Sequence, residues 1–375
     1  MTRRLFIFTS SSTLAAQVAP SKQVVVGVIG AGFRGLQLLR ECLADASVRV
    51  GAVCETYEPR MFGAVALARS QGHATRYYRI YGDLIADRDI EAVLIATPDF
   101  WHCRMTLEAL QAGKDVYVEQ PLCHSWQEGV ELLNAEKESR QIVQVGSQRR
   151  SSLFFTETAR QLAGGAAGHI QMVQALRTSN YLRPGVLHRG GVKFRDPLNF
   201  PDWQAGAASQ VSYSPDRFLN WRFYSMYGGG PVADLGVHIL DGLHMLTGAA
   251  YPAVVKASGI PSKEEGFDAA ERAAIVVEYP NGMLLSLSIN GAAPNKQEHS
   301  LVEGDGGRIQ IDRQSLDPTR RHLANFFDSV RTRRPPNASV SKTLPATLVC
   351  QMANLAITSN RVVRWDSVGS RVTAD

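Results

Sequence analysis

The chain has 375 residues, which at roughly 150 residues per domain predicts two domains. Its composition, 45% hydrophobic and 20% charged, is that of a globular protein and excludes a disordered or fibrous chain. Lys and Arg exceed Asp and Glu by 40 − 35 = 5. This small excess is spread along the chain, which argues against a nucleic-acid-binding protein.

The cysteines and the apolar runs exclude two further classes of protein. The five cysteines are scattered and none forms a C-x-x-C pair, which predicts neither a disulfide framework nor a zinc site. No apolar run approaches the roughly 18–20 residues that cross a bilayer. We therefore expect a chain without a membrane span.

Residues 1–21 have the pattern of an export signal. Arg3 and Arg4 precede a mildly apolar stretch rich in Ser and Ala. This arrangement is similar to the twin-arginine signals that carry folded proteins out of the bacterial cytoplasm. Pro20 argues against cleavage after Ala19. The prediction is a periplasmic or secreted protein, and the alternative is a cytoplasmic one whose leader does not function.

Residues 22–146 alternate short apolar runs with amphipathic stretches. The apolar runs are nearly continuous, as expected of parallel strands that are covered on both faces. This pattern predicts a doubly wound α/β domain. The predicted strands lie at 24–29, 48–54, 92–97, 115–119 and 142–145, and the predicted helices at 33–44, 59–70, 101–112 and 125–139.

Residues 147–375 have a different pattern. Long strand-like runs are separated by turns such as Asn281-Gly282, whose residues readily adopt the positive φ of a hairpin. We expect an α+β domain with an antiparallel sheet and helices on one side. The segment 182–216, rich in Gly, Pro and Arg, is predicted to be a long loop of the kind that is often functional. The predicted strands lie at 170–179, 273–279, 283–289 and 308–311, and the predicted helices at 153–163, 322–332 and 343–359.

A glycine-rich turn follows the first predicted strand. Residues 30–35 read Gly-Ala-Gly-Phe-Arg-Gly, which matches G-x-G-x-x-G. In such a turn the first glycine permits the sharp bend, the second lets the backbone approach a pyrophosphate, and the third lets the helix pack closely on the sheet. The helix N-terminus adds unpaired N–H donors. We therefore expect a dinucleotide to lie against Gly30, Gly32, Phe33, Arg34 and Gly35.

An acidic residue indicates which dinucleotide is bound. Glu55 ends the second predicted strand, twenty positions after Gly35. We expect its carboxylate to accept hydrogen bonds from the 2′-hydroxyl of the adenosine ribose and to repel a 2′-phosphate. This favours NAD over NADP, while the nearby Arg60 leaves NADP as the alternative.

Three further motifs follow in the chain. They are Thr97-Pro98-x-x-x-His102, Glu119-Gln120-Pro121 and Gly229-Gly230-Pro231-x-x-Asp234-x-Gly236-x-His238-x-x-Asp241. With the glycine-rich turn, this set resembles the glucose–fructose oxidoreductase / inositol dehydrogenase / MocA (Gfo/Idh/MocA) family over nearly the whole chain. The resemblance implies an α/β Rossmann domain plus an α+β domain with a large, mostly antiparallel open sheet, and NAD(P) between the two. It also implies a carbohydrate substrate and a homo-oligomer formed through the open sheet.

The resemblance also suggests roles for the first two motifs. It implies that Thr97, Pro98 and His102 lie along the cofactor and that Glu119 lies beside the nicotinamide ribose. The family motif has a lysine after this glutamate, where this chain has Gln120. An amide hydrogen-bonds a substrate hydroxyl but has no useful pKa with which to take its proton. We therefore assign Gln120 to orienting the substrate and expect the acid–base group elsewhere.

His238 is the candidate for that acid–base group, and Asp234 is predicted to bind a substrate hydroxyl or to fix the orientation of the imidazole. Their i, i+4 spacing places them on one face of a helix, with Asp241 near the same face. Unperturbed imidazole titrates near pH ~6.5, which suits a base that accepts a proton from a sugar hydroxyl as hydride leaves its carbon. The alternative is that Asp234 caps a helix and His238 packs in the core. A metal site is disfavoured because the three residues supply a single imidazole.

Substrate contacts are predicted from the segments that flank the boundary between the domains. Arg149 follows the last strand of the first domain and is predicted to bind substrate oxygens. Trp203 and Arg222 belong to the segment before the third motif and are predicted to lie against the sugar ring. The alternatives are a solvated side chain for Arg149 and core packing for the aromatic residues.

The sequence thus predicts an NAD-dependent oxidoreductase that acts on a hydroxyl of a sugar, cyclitol or glycoside. Because soluble NAD is scarce outside the cytoplasm, an exported protein would carry a tightly bound cofactor and run a redox-neutral cycle. One alternative is an NAD-dependent glycoside hydrolase, which combines oxidation, elimination, hydration and reduction. Another is a non-catalytic sugar-binding protein, which Gln120 in place of lysine would favour.

Overall fold

The computed structural model describes residues 23–180, 200–207, 209–312 and 317–375. The predicted export signal and much of the predicted loop at 182–216 lie outside the described residues. Within these ranges, none of the helices combines the length and the apolar character that crossing a membrane requires.

The first sheet has six strands, all parallel, and lies between two layers of helices. Its strands are β1 (Val24–Ile29), β2 (Val48–Cys54), β3 (Arg76–Tyr78), β4 (Ala92–Ile95), β5 (Asp115–Val118) and β6 (Val143–Val145). Their order in the sheet is β3-β2-β1-β4-β5-β6. The chain adds β2 and β3 on one side of β1 and then adds β4, β5 and β6 on the other side, as in a Rossmann fold. The four central strands are almost wholly buried, which explains their continuous apolar runs.

The first domain contains two elements that periodicity did not predict. The edge strand β3 has three residues and is largely exposed, so it lacks the apolar run of the inner strands. A short helix follows it. The helices of this domain are α1 (Phe33–Leu43), α2 (Glu58–Ser70), α3 (Tyr81–Ala86), α4 (Asp99–Gln111) and α5 (Trp126–Glu138).

The second sheet has eight strands. They are β7 (Ile170–Asn180), β8 (Val254–Pro261), β9 (Ala270–Glu278), β10 (Leu284–Asn290), β11 (Ala292–Gly304), β12 (Gly307–Asp312), β13 (Val363–Asp366) and β14 (Arg371–Ala374). Their order is β12-β11-β7-β10-β9-β8-β13-β14. Only β7 and β10 pair in parallel among these described strands, which confirms the predicted α+β domain with a mostly antiparallel sheet.

Helices cover one face of the second sheet. Along β9 and β10 buried and exposed residues alternate, because alternate side chains point to the helices and away from them. The opposite, open face exposes apolar side chains such as Met172, Ile260 and Leu284. The helices of this half are α6 (Leu153–Ala163), α7 (Phe200–Gln204), α8 (Pro215–Leu219), α9 (Gly230–Asp234), α10 (Gly236–Thr247), α11 (Thr319–Thr332) and α12 (Val340–Ser359).

The helix α11 returns to the first domain. Its apolar residues Leu323, Phe326 and Phe327 pack in one core with Val26 of β1 and Leu38 of α1. This helix lies within residues 147–375, which we assigned to the second domain, yet its apolar face completes the core of the first. The core of the first domain therefore includes a helix from the second half of the chain, and no single cut in the sequence separates the two domains.

Candidate functional site

The glycine-rich turn is shaped by contacts that leave no room for side chains at two of its positions. Gly30 has φ of +89°, and a Cβ added there would lie 2.7 Å from the carbonyl oxygen of Ala96. A Cβ added at Gly35 would lie 1.8 Å from the carbonyl oxygen of Gly30. At Gly32 the nearest atom, in Arg60, is 4.0 Å away. The backbone is therefore open at Gly32, where a pyrophosphate must approach.

The N-terminus of α1 faces the same opening. No side chain caps the helix, and its first turn contains no acidic residue. The positive end of the helix dipole is therefore not neutralised by the chain itself, which suits an anionic group. Phe33 is 83% exposed at this end, whereas Arg34 turns towards Glu119.

Glu55 lies directly beside the glycine-rich turn. Its carboxylate is buried and accepts hydrogen bonds from the backbone N–H groups of Ala31, at 2.9 Å, and Tyr57, at 3.0 Å. The end of β2 thus places a negative charge at the turn. This is the position from which an acidic residue contacts the adenosine ribose.

The motif at 97–102 forms the next wall of the site. The side-chain oxygen of Thr97 is buried and has no hydrogen-bond partner within the described residues. An orphaned buried hydroxyl fits a site whose ligand supplies the missing bond. His102 is buried, with Nδ1 2.7 Å from the carbonyl oxygen of Pro121 and Nε2 3.0 Å from that of Thr97. Our assignment of His102 to direct cofactor contact is therefore wrong, because the ring links two turns instead.

Glu119 directly follows β5 and lies within a dense hydrogen-bond network. It accepts from Arg34 Nε at 2.8 Å, from the Tyr117 hydroxyl at 3.2 Å and from the Gln148 amide. Burial alone would raise the pKa of Glu119, but Arg34, together with His238 and Gln148, outweighs burial and lowers it. The carboxylate is therefore ionised at neutral pH. Arg34, predicted to contact the cofactor, instead holds Glu119 and also donates to Thr319 in α11.

Gln120 forms hydrogen bonds within the protein. Its amide nitrogen donates to Ser147 Oγ at 2.6 Å, and its amide oxygen accepts from the Leu122 N–H at 3.1 Å and from the Thr347 hydroxyl at 3.4 Å. The side chain is buried. The amide thus joins three segments of the chain, and its assignment to orienting the substrate stays a prediction.

His238 lies in the first turn of α10 and is partly exposed. Its ring makes no hydrogen bond to any residue that the structure describes. Burial lowers the pKa of His238, and Arg149 lowers it further, while Asp234 and Glu119 oppose the change. The imidazole is therefore neutral at neutral pH, with a lone pair available to accept a proton.

The predicted helix through Asp234 and His238 is interrupted. Asp234 is the last residue of α9, and α10 begins after Leu235. The carboxylate of Asp234 pairs with Arg222 Nε at 3.3 Å. Asp241 is turned into the core and pairs with Arg150 at 2.8 Å, so it does not join a metal cluster. The predicted single helix is therefore two helices that meet at Leu235, whose backbone angles remain in the right-handed helical region.

Two of the three predicted substrate residues are arginines paired with carboxylates, and the third is a buried tryptophan. Arg222 stacks over the Trp221 ring at 4.2 Å, beside Asp234. Arg149 pairs with Glu298 of β11 at 2.6 Å, a partner that the sequence did not indicate. Trp203 is only 5% exposed, among the rings of Phe100, Phe218 and Tyr227. Its prediction as a sugar-stacking residue is therefore wrong, because the indole packs in the core.

Comparison with known proteins identifies both halves of the chain. A family model described as "oxidoreductase family, NAD-binding Rossmann fold" matches residues 24–147, and one described as "GFO/IDH/MocA C-terminal domain" matches residues 204–310. A glycosyl hydrolase family 109 protein of Solibacter usitatus is 30% identical over 349 residues, which cover 85% of this chain and 74% of that protein. Inositol 2-dehydrogenase 2 of Saccharopolyspora erythraea is 33% identical over 162 residues, which cover 42% of this chain and 46% of that protein.

Solved structures have the same architecture. GenD2 from gentamicin A biosynthesis, in complex with NAD, matches with a TM-score of 0.75 and 17% identity, over 93% of this chain and 98% of that chain. At this identity the likeness establishes the fold, while the family models and the Solibacter relative establish the family. The chain belongs to the Gfo/Idh/MocA family and is an oxidoreductase with an NAD-binding Rossmann domain.

Proposed function

We propose that the protein transfers hydride between a nicotinamide cofactor and a hydroxyl-bearing carbon of a sugar, cyclitol or glycoside. The observation that carries this proposal is the partly exposed His238 ring, which makes no hydrogen bond to the described residues and whose pKa is lowered by burial and Arg149, near enough to the ionised Glu119 to interact with its charge. The glycine-rich turn, Glu55 and Thr97 fit a dinucleotide. When bound, its nicotinamide supplies the group that accepts or gives hydride.

The protein's own residues accept the proton of the substrate hydroxyl and orient the substrate. His238 accepts the proton of the substrate hydroxyl, because a neutral imidazole is a base of suitable strength near pH 7. Asp234, fixed by Arg222, accepts a hydrogen bond from a neighbouring hydroxyl. Glu119 lies close enough to favour the protonated form of His238 once it has formed.

We infer that NAD is preferred to NADP. The support is the buried Glu55 carboxylate, which accepts the Ala31 N–H within the glycine-rich turn. A negative charge at this place repels a 2′-phosphate and accepts hydrogen bonds from a free ribose.

The charge pattern near His238 supports a neutral, polyhydroxylated substrate. The nearby guanidinium groups of Arg34, Arg149 and Arg222 each have a carboxylate partner. Such pairs offer both donors and acceptors to hydroxyl groups, and Glu298 is shared between Arg149 and Arg177. The name of the inositol 2-dehydrogenase relative agrees with this substrate class.

The second candidate is an NAD-dependent glycoside hydrolase. It is favoured by the Solibacter relative, which is named as a glycosyl hydrolase and matches 85% of this chain. It also agrees with the export that we propose from Arg3 and Arg4, because a redox-neutral cycle suits a protein that leaves the cytoplasm with its cofactor bound. Release of free sugar from a glycoside, without net change in the nicotinamide, distinguishes this reaction from simple dehydrogenation.

One experiment tests cofactor and reaction together. The purified protein is denatured, and the released nucleotide is identified by mass spectrometry. The native protein, supplemented with NAD, is then mixed with sugars, cyclitols and glycosides while nicotinamide absorbance is followed. We expect NAD(H) and an absorbance change with at least one neutral carbohydrate. Tight sugar binding without any absorbance change or product would instead establish a non-catalytic binding protein.

We also propose that the chain forms a homo-oligomer through the open face of the second sheet. Four apolar side chains on this face, Met172, Ile260, Val276 and Leu284, are 39–53% exposed. Apolar patches of this kind are typical of association surfaces. Sedimentation equilibrium should give at least twice the mass of one chain, and a monomer would contradict the proposal.

A further inference from the structure

A cavity of about 500 Å³ opens at the end of the first sheet opposite the glycine-rich turn. Val24 and Asp115, which begin β1 and β5, lie in its wall. The six residues of β1 separate this wall from the turn. At about 3.3 Å per residue the separation is roughly 20 Å. The volume is within the range of roughly 300–1,000 Å³ that small-molecule sites have, and the proposed reaction does not use this cavity.

Basic side chains outnumber acidic ones in the wall of this cavity. The charged residues of the wall are Glu91 and Asp115, which are acidic, and Arg88, Lys114, Arg331 and Arg333, which are basic. The wall therefore has an excess of two positive charges. A concave surface with charges of one sign in excess attracts ligands of the opposite sign.

Both carboxylates of the wall are bound within the protein. Asp115 Oδ1 accepts hydrogen bonds from the Ile142 N–H and from Arg333 Nη1, each at 2.7 Å. Glu91 Oε2 accepts a hydrogen bond from the Val25 N–H at 2.9 Å. Asp115 thus neutralises Arg333, and the other three basic residues of the wall have no carboxylate partner among the residues that the structure describes.

Lys114 is the most deeply buried of these three basic residues. Only 8% of its surface is exposed. Its ammonium group donates hydrogen bonds to the carbonyl oxygens of Asp87, at 2.8 Å, and Ile90, at 2.7 Å. The carboxylate of Asp87 pairs with Arg76 instead. An ammonium group has three N–H donors, so one donor of a buried cation remains for a ligand.

Arg88 and Arg331 are the other two basic residues, and both are exposed. Arg331 donates a hydrogen bond to the neutral hydroxyl of Ser47 at 3.0 Å. Arg88 makes no hydrogen bond or ion pair with any residue in the described ranges. Each guanidinium group has five N–H donors, so both arginines have donors to offer to an anion.

We propose that this cavity binds a phosphate group, with Arg88, Lys114 and Arg331 as its donors. Guanidinium groups match phosphate oxygens in geometry, and the ammonium group adds a point charge. A phosphate monoester has a charge of about −1.5 to −2 at pH 7 and three acceptor oxygens. That charge balances the excess of two positive charges in the wall. The inference is independent of the proposed function, because the cavity is remote from the glycine-rich turn.

Isothermal titration calorimetry with the full chain tests the inference. The protein is first saturated with NAD, so that the glycine-rich turn is occupied, and is then titrated at constant ionic strength with inorganic phosphate and with glycerol 3-phosphate. We expect one phosphate group to bind per chain. Tighter binding of the ester would identify a phosphorylated metabolite as the ligand, whereas equal binding would identify the free anion.

Two substitutions place the binding in this cavity. Arg88→Ala and Arg331→Ala should each weaken phosphate binding about tenfold, the loss expected for one hydrogen bond to a charged group. Both side chains are exposed, so both variants should fold, and circular dichroism checks this. The matched control is Arg361→Ala, which removes an exposed arginine outside the cavity. It should leave phosphate affinity unchanged.

Three results would overturn the inference while the proposed function stands. The first is no heat of binding with either phosphate compound. The second is wild-type phosphate affinity in both Arg88→Ala and Arg331→Ala. The third is succinate, a dianion of different shape, binding as tightly as phosphate, because the cavity would then select charge alone.

Discussion

The two halves of the candidate site are built in different ways. On the cofactor side the backbone sets the shape, since Gly30 and Gly35 exclude side chains by direct contact with carbonyl groups. On the substrate side, paired charged side chains set the shape, as in Arg222–Asp234 and Arg149–Glu298. Backbone geometry suits a cofactor whose phosphates are always the same, whereas side chains can be exchanged to suit different carbohydrates.

The strongest test of the cofactor half is Gly35→Ala. A Cβ at this position would lie 1.8 Å from the carbonyl oxygen of Gly30, and neither backbone segment can move without breaking the turn. We expect the variant to lose NAD affinity by about 100-fold or more, or to fail to fold. Titration with NAD, followed by protein fluorescence, measures the affinity.

Gly63→Ala is the matched control for this substitution. Gly63 lies inside α2, and a Cβ there meets no atom within 4 Å. Alanine at that position should therefore stabilise the helix by up to about 1 kcal/mol and leave NAD affinity unchanged. Equal NAD affinity in both variants would show that the turn tolerates a side chain and that the backbone does not shape the site.

The substrate half is tested by Glu298→Ala. Glu298 is buried between Arg149 and Arg177. Removing it leaves two arginines without their shared carboxylate, so we expect the free energy of unfolding to fall by about 3 kcal/mol. The Arg149 guanidinium should also lose its fixed position near His238. Urea denaturation measures the first effect, and KM for the carbohydrate measures the second.

An exposed ion pair provides the control for Glu298→Ala. Glu157 pairs with Arg160 at 2.7 Å on the surface of α6, and both side chains are more than half exposed. Glu157→Ala should leave the free energy of unfolding almost unchanged, because solvent screens this exposed pair. If the free energy of unfolding fell by a similar amount in both variants, the buried pairs of Glu298 would contribute no more to stability than an exposed pair does.

Gln120→Lys tests whether position 120 belongs to the substrate half of the site. Its expected effect is smaller than those of the variants above. A lysine ammonium can keep the bond to Ser147 but cannot accept the Leu122 N–H. We expect the free energy of unfolding to fall by about 1–3 kcal/mol, with no gain in the rate of hydride transfer. The control is Gln71→Lys at the exposed end of α2. Unchanged stability with faster hydride transfer would show that position 120 does face the substrate.

Features that depend on neighbouring residues were predictable from the sequence. The bounds of β1 and β2 are those that the apolar runs predict, because parallel strands buried on both faces have continuous apolar sequences. The glycine-rich turn and Glu55 were found by their spacing alone, and the structure brings them together. Their geometry is local to one β-α-β unit.

Features that depend on distant partners were not predictable. Gln120 is turned by Ser147 and Thr347, and Trp203 is buried by Phe100 and Tyr227, residues that no spacing rule connects. Glu298 was missed for the same reason. Its one signal was a charged residue at an inward position of a strand, which is unusual enough to suggest a buried ion pair.

The measurement that tests the account most directly is a single-turnover comparison of wild type and His238→Ala. Each protein is loaded with nicotinamide cofactor and mixed with a carbohydrate that the wild type oxidises, and nicotinamide absorbance is followed. We predict that the variant keeps its cofactor but transfers hydride about 100- to 10,000-fold more slowly, as expected when a general base is lost. His238→Ala reacting at the wild-type rate would contradict the account, because the proton would then be taken by another group.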